Sequence, residues 1–216
     1  PKTLSGKTVT AYVNTHTDLS DELYREGKLV SDNYKNILRS QTNAAAIPAE
    51  VTVRYGVTVR RANLRNLPTG EGLFFYASDR NFDALQETAL DPGEAVAILH
   101  TSTNGYFYYV QAYNYRGWLS KFDVAETDRS TWLRYAEPKN FLTVVAKDYT
   151  LKADGAQVLF QQGARLQLAD KKASAYTVKV PVRTKEGKLQ EEKVVLAANA
   201  SLHEGYLPYT TNNIIR

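Results

Sequence analysis

The chain contains neither cysteine nor methionine. Without thiols there is no disulfide, no thiolate metal site and no cysteine nucleophile among its 216 residues. Histidine is scarce. His16, His100 and His203 lie far apart, none forms a metal-ligand pair of the H-x-x-x-H type, and each reads as a surface or capping residue. No run approaches the roughly twenty apolar residues that a membrane-spanning helix requires. The sequence opens at Pro1 without an apolar segment of the signal-peptide kind. Also missing are a G-x-S-x-G elbow, a phosphate-binding loop and a dinucleotide fingerprint. Carboxylate pairs such as Asp79 with Asp83 and Asp18 with Asp21 occur, but among 23 acids close pairs arise by chance and make weak support for a glycosidase. No cofactor and no metal site is predicted.

Aromatic and β-branched residues dominate what remains. There are 15 Tyr and 7 Phe, a composition that favours strands over helices. A 43% apolar and 23% charged composition is that of an ordinary globular protein with enough length to bury a core. The net charge of +4 and a pI near 9.1 suit a mildly anionic partner. Nucleic acid fits poorly, because the 27 basic residues are spread among the acids rather than gathered on an aromatic face.

Taken in order, residues 1–10 are polar and read as extended. Leu19, Leu23, Leu29, Val30, Tyr34, Ile37 and Leu38 recur at near-helical spacing after a cap at Asp18 or Ser20, which predicts a helix broken at Gly27 and ended by Pro48. This arm of residues 1–48 cannot bury its apolar stripe alone and is expected to pack on the chain beyond it. From residue 49 to 127, short alternating runs punctuated by Gly, Pro and Asn predict a small half-open barrel. Its long loop, from Gly70 to about Leu85, carries Phe74, Phe75, Tyr76 and Phe82, of which Phe75 and Phe82 read as the loop's own core.

Period-two alternation puts Tyr108, Val110 and Ala112 on one face of a later strand, with Val110 and Ala112 marking the core side. Phe107, Tyr109, Gln111 and Tyr113 fall on the other. That second face, running on towards Tyr115 and Trp118, is either an aromatic platform or a surface covered by a neighbouring element; for Trp118 packing is the preferred reading. Residues 128–140 form a polar linker tied down by Trp132 and Tyr135. A second all-β unit then runs from Phe141, with turns at Asp154–Gly155, Gly163 and Glu186–Gly187 and a charged hairpin that reads as a solvated edge. Thr210 or Thr211 can cap a helix opening with NNIIR, and the polypeptide is expected to continue into a further domain.

Three stretches carry a family resemblance: NLRNLPT at 63–69, DPGEAVAILHTS at 91–102 and YRGWLSKFDVA at 115–125. They resemble the first bacterial SH3-like domain of NlpC-type cell-wall endopeptidases. VLFQQGARLQL, TVKVPVRTKEG and HEGYLPYTTNNII look like that family's second SH3-like domain and its junction with the peptidase. The fold class implied is mainly β: two small SH3-like barrels in tandem, at 49–127 and 128–205, preceded by a short helical clip, with 206–216 opening a cysteine peptidase domain that is missing here. The resemblance implies a periplasmic or extracellular protein of the bacterial envelope whose partners are the peptidoglycan stem peptide and its own peptidase domain, with no nucleic acid. In that family a cysteine thiolate cleaves the stem peptide after D-glutamate; no catalytic position maps onto this chain. The resemblance also implies a substrate-binding acid on the long loop, Asp79 or Asp83, and a tyrosine, Tyr113 or Tyr115, that together meet the free amino end of the peptide.

Overall fold

The computed structural model describes residues 2–210, and the helix expected at 212–216 lies outside them. The chain is mainly β. It opens with β1 (Thr3–Ser5) and α1 (Gly6–Val13), where the sequence predicted extended chain. The reason is tertiary. Val9 and Val13, four apart on one helix face, bury completely against Val51, Val53, Leu99, Tyr109 and Trp118, and this packing overrides the poor helix propensity of a Thr- and Val-rich segment. Gly6 is obligatory: a Cβ there would stand 1.9 Å from the carbonyl oxygen of Pro48.

The helix predicted after Asp18 or Ser20, with a break at Gly27, forms only beyond that break. Residues 24–29 make a minimal hairpin of β2 (Tyr24–Arg25) and β3 (Lys28–Leu29). Its two-residue loop holds Glu26 at φ 52° and Gly27 at φ 81°, the left-handed pair of a type I′ turn, which no helix accommodates. The helix α2 (Asp32–Gln41) starts where Ser31 accepts a hydrogen bond from the Tyr34 amide at 3.3 Å. A 3₁₀ turn at Ala44–Ala46 leads to β4 (Glu50–Thr52), which pairs antiparallel with β1 and closes the arm.

The first large sheet contains β5 (Arg54–Thr58), β6 (Ala62–Arg65), β7 (Gln86–Leu90), β8 (Ala95–Thr101), β9 (Phe107–Gln111), β10 (Arg116–Ser120) and β11 (Val124–Thr127). Its order is β11-β5-β8-β9-β10-β6-β7, antiparallel throughout. Leu64, Ile98, Val110, Ala112, Leu119 and Val124 fill its interior, so the face marked by Val110 and Ala112 is the core side as predicted. Tyr109 and Trp118 emerge on the opposite side, and there α1 covers them. They are packing residues and not an open platform. Gly117 lets β10 approach β6, since a Cβ would lie 2.5 Å from the Arg65 carbonyl oxygen.

The expected linker is partly helical. Asp128 caps α3 (Arg129–Ala136), accepting from the Thr131 amide at 2.9 Å. The linker aromatics do anchor it. Trp132 Nε1 donates to the Val96 carbonyl at 3.1 Å, its ring lies 5.2 Å from that of Tyr55, and the buried Tyr135 hydroxyl donates to Glu191 Oε1 at 3.1 Å. Beyond it come β12 (Phe141–Val144), β13 (Asp148–Ala153), β14 (Ala156–Gln161), β15 (Arg165–Lys172), β16 (Ala175–Arg183), β17 (Leu189–Ala197) and β18 (Leu202–Glu204). Five of them form a sheet ordered β17-β16-β15-β12-β18, while β13 and β14 pair as a separate hairpin around Asp154 (φ 48°) and Gly155 (φ 72°). Leu142, Phe160, Leu166, Val178 and Val180 make a second core.

The two sheets are tied to each other. Arg183 Nε donates to the Val124 carbonyl at 3.1 Å and Glu126 N to the Gly187 carbonyl at 2.8 Å, while Gln161 N of the separate β13–β14 hairpin donates to Asp91 Oδ1 at 3.0 Å. The charged hairpin of β16 and β17 is therefore more than a solvated edge, because its turn and Glu191 serve the junction. No helix among the described residues is long and apolar enough to cross a membrane.

Candidate functional site

The long loop between β6 and β7 is built around one buried cation. Arg65, 5% exposed, donates from Nη1 to Asp83 Oδ2 at 2.7 Å and from Nη2 to the Glu71 carbonyl at 2.5 Å. Asp83 Oδ1 accepts from the amides of Leu73 (3.1 Å) and Leu85 (3.0 Å). Asp83 thus ties both ends of the loop to the sheet. Asp79 sits further out, its Oδ1 accepting from the amides of Asn81 (2.8 Å) and Phe82 (3.2 Å). Those backbone bonds, Asn81 first, hold the Asp79 carboxyl below its ordinary range and keep it charged.

The loop's apolar core is not the one the sequence suggested. Phe75 is 46% exposed and Phe82 79%, whereas Leu67, Leu73 and Leu85 are fully buried against Leu19, Leu23, Val30 and Leu38 of the arm. The arm provides a leucine cover that the loop lacks, so the loop turns its leucines inward and its aromatics out. Backbone pairing fixes the contact: Tyr24 N donates to the Phe74 carbonyl at 2.8 Å and Phe74 N to the Tyr24 carbonyl at 2.9 Å. The ion pair of Arg25 with Glu71 (2.8 Å) and the hydrogen bond from the Tyr34 hydroxyl to Glu71 complete it.

Beside this loop a cleft of about 220 Å³ opens between the end of α1 and the sheet. Tyr12, Asn66, Glu87, Tyr115 and Arg116 line it. The guanidinium of Arg116 lies 3.8 Å from the centroid of the Tyr12 ring, and Asn66 Nδ2 donates to Glu87 Oε1 at 2.9 Å. At the floor Tyr109 donates to the Tyr12 carbonyl at 2.9 Å; burial pushes its hydroxyl up to about 12, so it stays a neutral donor. Of the four residues singled out in the sequence, Tyr115 lines this cleft, Tyr113 projects from the same hairpin at 95% exposure, and Asp79 and Asp83 belong to the neighbouring loop. Sequence reasoning missed Glu87, Tyr12 and Arg116. Only the packing of α1 on the sheet brings them together, and no local motif signals it. His100, which reads from the sequence as a surface or capping residue, is partly buried, with Nε2 3.0 Å from the Asn43 carbonyl oxygen and its ring edge-on to Trp118 at 6.3 Å. No cluster of three metal-ligating side chains occurs among the described residues.

Residues 73–120 match the family model of the SH3 domain, SH3b1 type. That span runs from the long loop through β10 and includes Glu87, Tyr115 and Arg116. No curated protein matches the sequence. Among solved structures the chain is similar to an NlpC/P60 endopeptidase from Photobacterium damselae subsp. piscicida, with a TM-score of 0.63 and 18% sequence identity over 95% of this chain and 53% of that one. The chain therefore spans about half the length of that protein. Likeness at this level of identity is a likeness of fold. The chain is thus a mainly β protein in which residues 73–120 are similar to SH3 domains of the SH3b1 type, and its overall fold is similar to part of an NlpC/P60 endopeptidase.

Proposed function

We propose that the chain is a cell-wall-binding module that presents peptidoglycan stem peptides to an NlpC-type cysteine endopeptidase domain lying outside these residues. The observation that carries this reading is the coincidence of two matches: an SH3b1-type domain across 73–120, and a fold shared over 95% of the chain with an NlpC/P60 endopeptidase. A cysteine-free chain that spans 53% of that protein accords with a targeting and gating role. In this reading residues 1–48 are a clip, 49–127 and 128–205 are two SH3-like domains, and 206–216 lead towards the peptidase. The peptidase cleaves after D-glutamate, and the protein works in the periplasm or outside the cell. The second reading, a free-standing wall- or peptide-binding module with no associated catalysis, shares the same binding surface.

The free amino end of the peptide is received where the long loop meets the cleft. Asp79 or Asp83 supplies the negative charge and Tyr113 or Tyr115 the hydroxyl, and an ammonium group flanked by a carboxylate and a phenol is held by charge-assisted hydrogen bonds. Of the two acids Asp79 is the freer, because Asp83 is bonded to Arg65 and to the Leu73 and Leu85 amides. Glu87 adds a further carboxylate to the cleft wall.

The test is co-sedimentation of the 216-residue chain with purified peptidoglycan, followed by competition with soluble stem peptides. Peptides with a free amino end are expected to displace the chain, and their N-acetylated forms to fail. A chain that stays in the supernatant sinks the reading in both its forms. Fusion to an active NlpC-type domain then separates the two: a changed cleavage profile on stem peptides supports gating, an unchanged one supports the free-standing module.

A further inference from the structure

A second cavity lies away from the cleft, between α3 and the second sheet. It measures about 470 Å³ and is walled by the last turns of α3, by the connector 137–140 and by strands β15 and β16. Its walls are bonded together. Gln167 Nε2 donates to the Arg134 carbonyl at 3.0 Å, Leu168 N donates to the Asn140 carbonyl at 3.0 Å, and Tyr135 anchors the helix to Glu191. These bonds hold the helix and the connector against the second sheet.

Its lining has two parts. Leu133, Pro138 and Leu168 form an apolar side; Arg134, Lys139 and Lys179 bring three cations. One carboxylate serves two of them: Glu191 meets Lys179 Nζ at 3.0 Å and Arg134 Nη2 at 3.6 Å while also accepting from Tyr135. Lys139 has no ion-pair partner among the described residues. With Glu137 in the lining and Glu191 behind it, three cations face two carboxylates and one positive charge is left over. Such a site accepts a single negative charge joined to a small apolar group. The polar rim of Glu137, Asn140 and Gln167 offers acceptors and donors that the amides of a peptide use and an acyl chain does not.

We propose that this cavity between α3 and the second sheet binds the free carboxyl end of a short peptide with an aliphatic last residue, the carboxylate on Lys139 and Lys179 and the side chain against Leu133, Pro138 and Leu168. The site is separate from the one assigned to the amino end of the wall peptide, and its residues come from α3, the connector and the second sheet.

Calorimetric titration of the full chain with an N-acetylated tripeptide ending in leucine tests it. Acetylation removes the amino group on which the cleft depends, so failure here and failure of the proposed function are told apart. The peptide acid is expected to bind at least about tenfold more tightly than its C-terminal amide. Added salt weakens the acid alone, and Lys139→Gln, at an exposed residue without an internal bond, lowers affinity while leaving the thermal transition unchanged. Equal binding of acid and amide, an unaffected Lys139→Gln protein, no binding at millimolar peptide, or preference for a long-chain fatty acid each overturns the assignment.

Discussion

The guanidinium of Arg65 and the carboxylate of Asp83 meet at 2.7 Å, with side-chain exposures of only 6% and 20%. This pair closes the long loop on its own base. Arg65 Nε has no partner and is fully enclosed, so the cation depends on its Nη groups for compensation. Asp83→Ala removes the counter-charge and leaves the amides of Leu73 and Leu85 unpaired; a loss of about 3–5 kcal/mol of unfolding free energy is expected. Urea unfolding of the variant checks this. A change within experimental error would falsify the anchoring role and leave Asp83 free to meet a ligand.

The arm and the loop share one leucine cluster. Leu23 is fully buried between Leu19, Leu73 and Leu85. Leu23→Ala is expected to cost about 2–5 kcal/mol and to expose the loop to proteolysis at Phe75–Phe82 before the rest of the sheet. Limited digestion with chymotrypsin reads this directly. Loss of the whole chain in a single step would show that the arm and loop do not form a separable unit.

The cleft variants separate binding from folding. Tyr113 is almost wholly exposed and Tyr115 lies at 42% exposure, so Tyr113→Phe and Tyr115→Phe leave the thermal transition in place. If the hydroxyls hold the amino end of a stem peptide, affinity falls by about fivefold to tenfold in each, equivalent to one lost hydrogen bond. Asp79→Asn gives a comparable loss through its charge. Unchanged displacement curves in all three proteins would remove these residues from the site.

The pH dependence of stability has an identifiable contributor in His100. Burial is the main cause that holds its imidazole below the ordinary value of 6.5, and hydrogen bonds to the backbone of Asn43 and Thr42 offset part of it. A depressed folded-state value means that the native protein binds the proton less readily than the unfolded chain. The contribution to stability is therefore complete above 6.5 and is lost as the pH falls through the lower folded value. Wild-type protein should lose more stability than His100→Gln between about pH 7.5 and pH 5. Identical pH profiles for the two proteins would contradict this assignment.

Strand alternation made Val110 and Ala112 readable as core positions, and Asp154–Gly155 readable as a turn, because a two-residue period and left-handed turn residues are local properties. The arm was less legible. Leucine spacing over 19–38 imitates a helix, yet Glu26 and Gly27 turn the chain back, while the true first helix hides in a strand-like run, GKTVTAYV. Phe75 and Phe82 misled in the same way: large aromatic side chains are inward by default, and they lie outside only because the arm's leucines occupy the space beneath the loop.

By itself, the sequence determined the β character of the chain, the places of most turns, the absence of thiol chemistry, and a loop and hairpin worth testing as a binding surface. Each of these comes from residue type or from a period of a few residues. Tertiary structure alone decided that α1 seals the Tyr109–Trp118 face, that Arg65 and Asp83 close the loop, and that Glu87, Arg116 and Tyr12 share a cleft. Those groups are drawn from distant parts of the chain, and what unites them is the burial of apolar surface between an arm and a sheet, a non-directional force that leaves no local pattern.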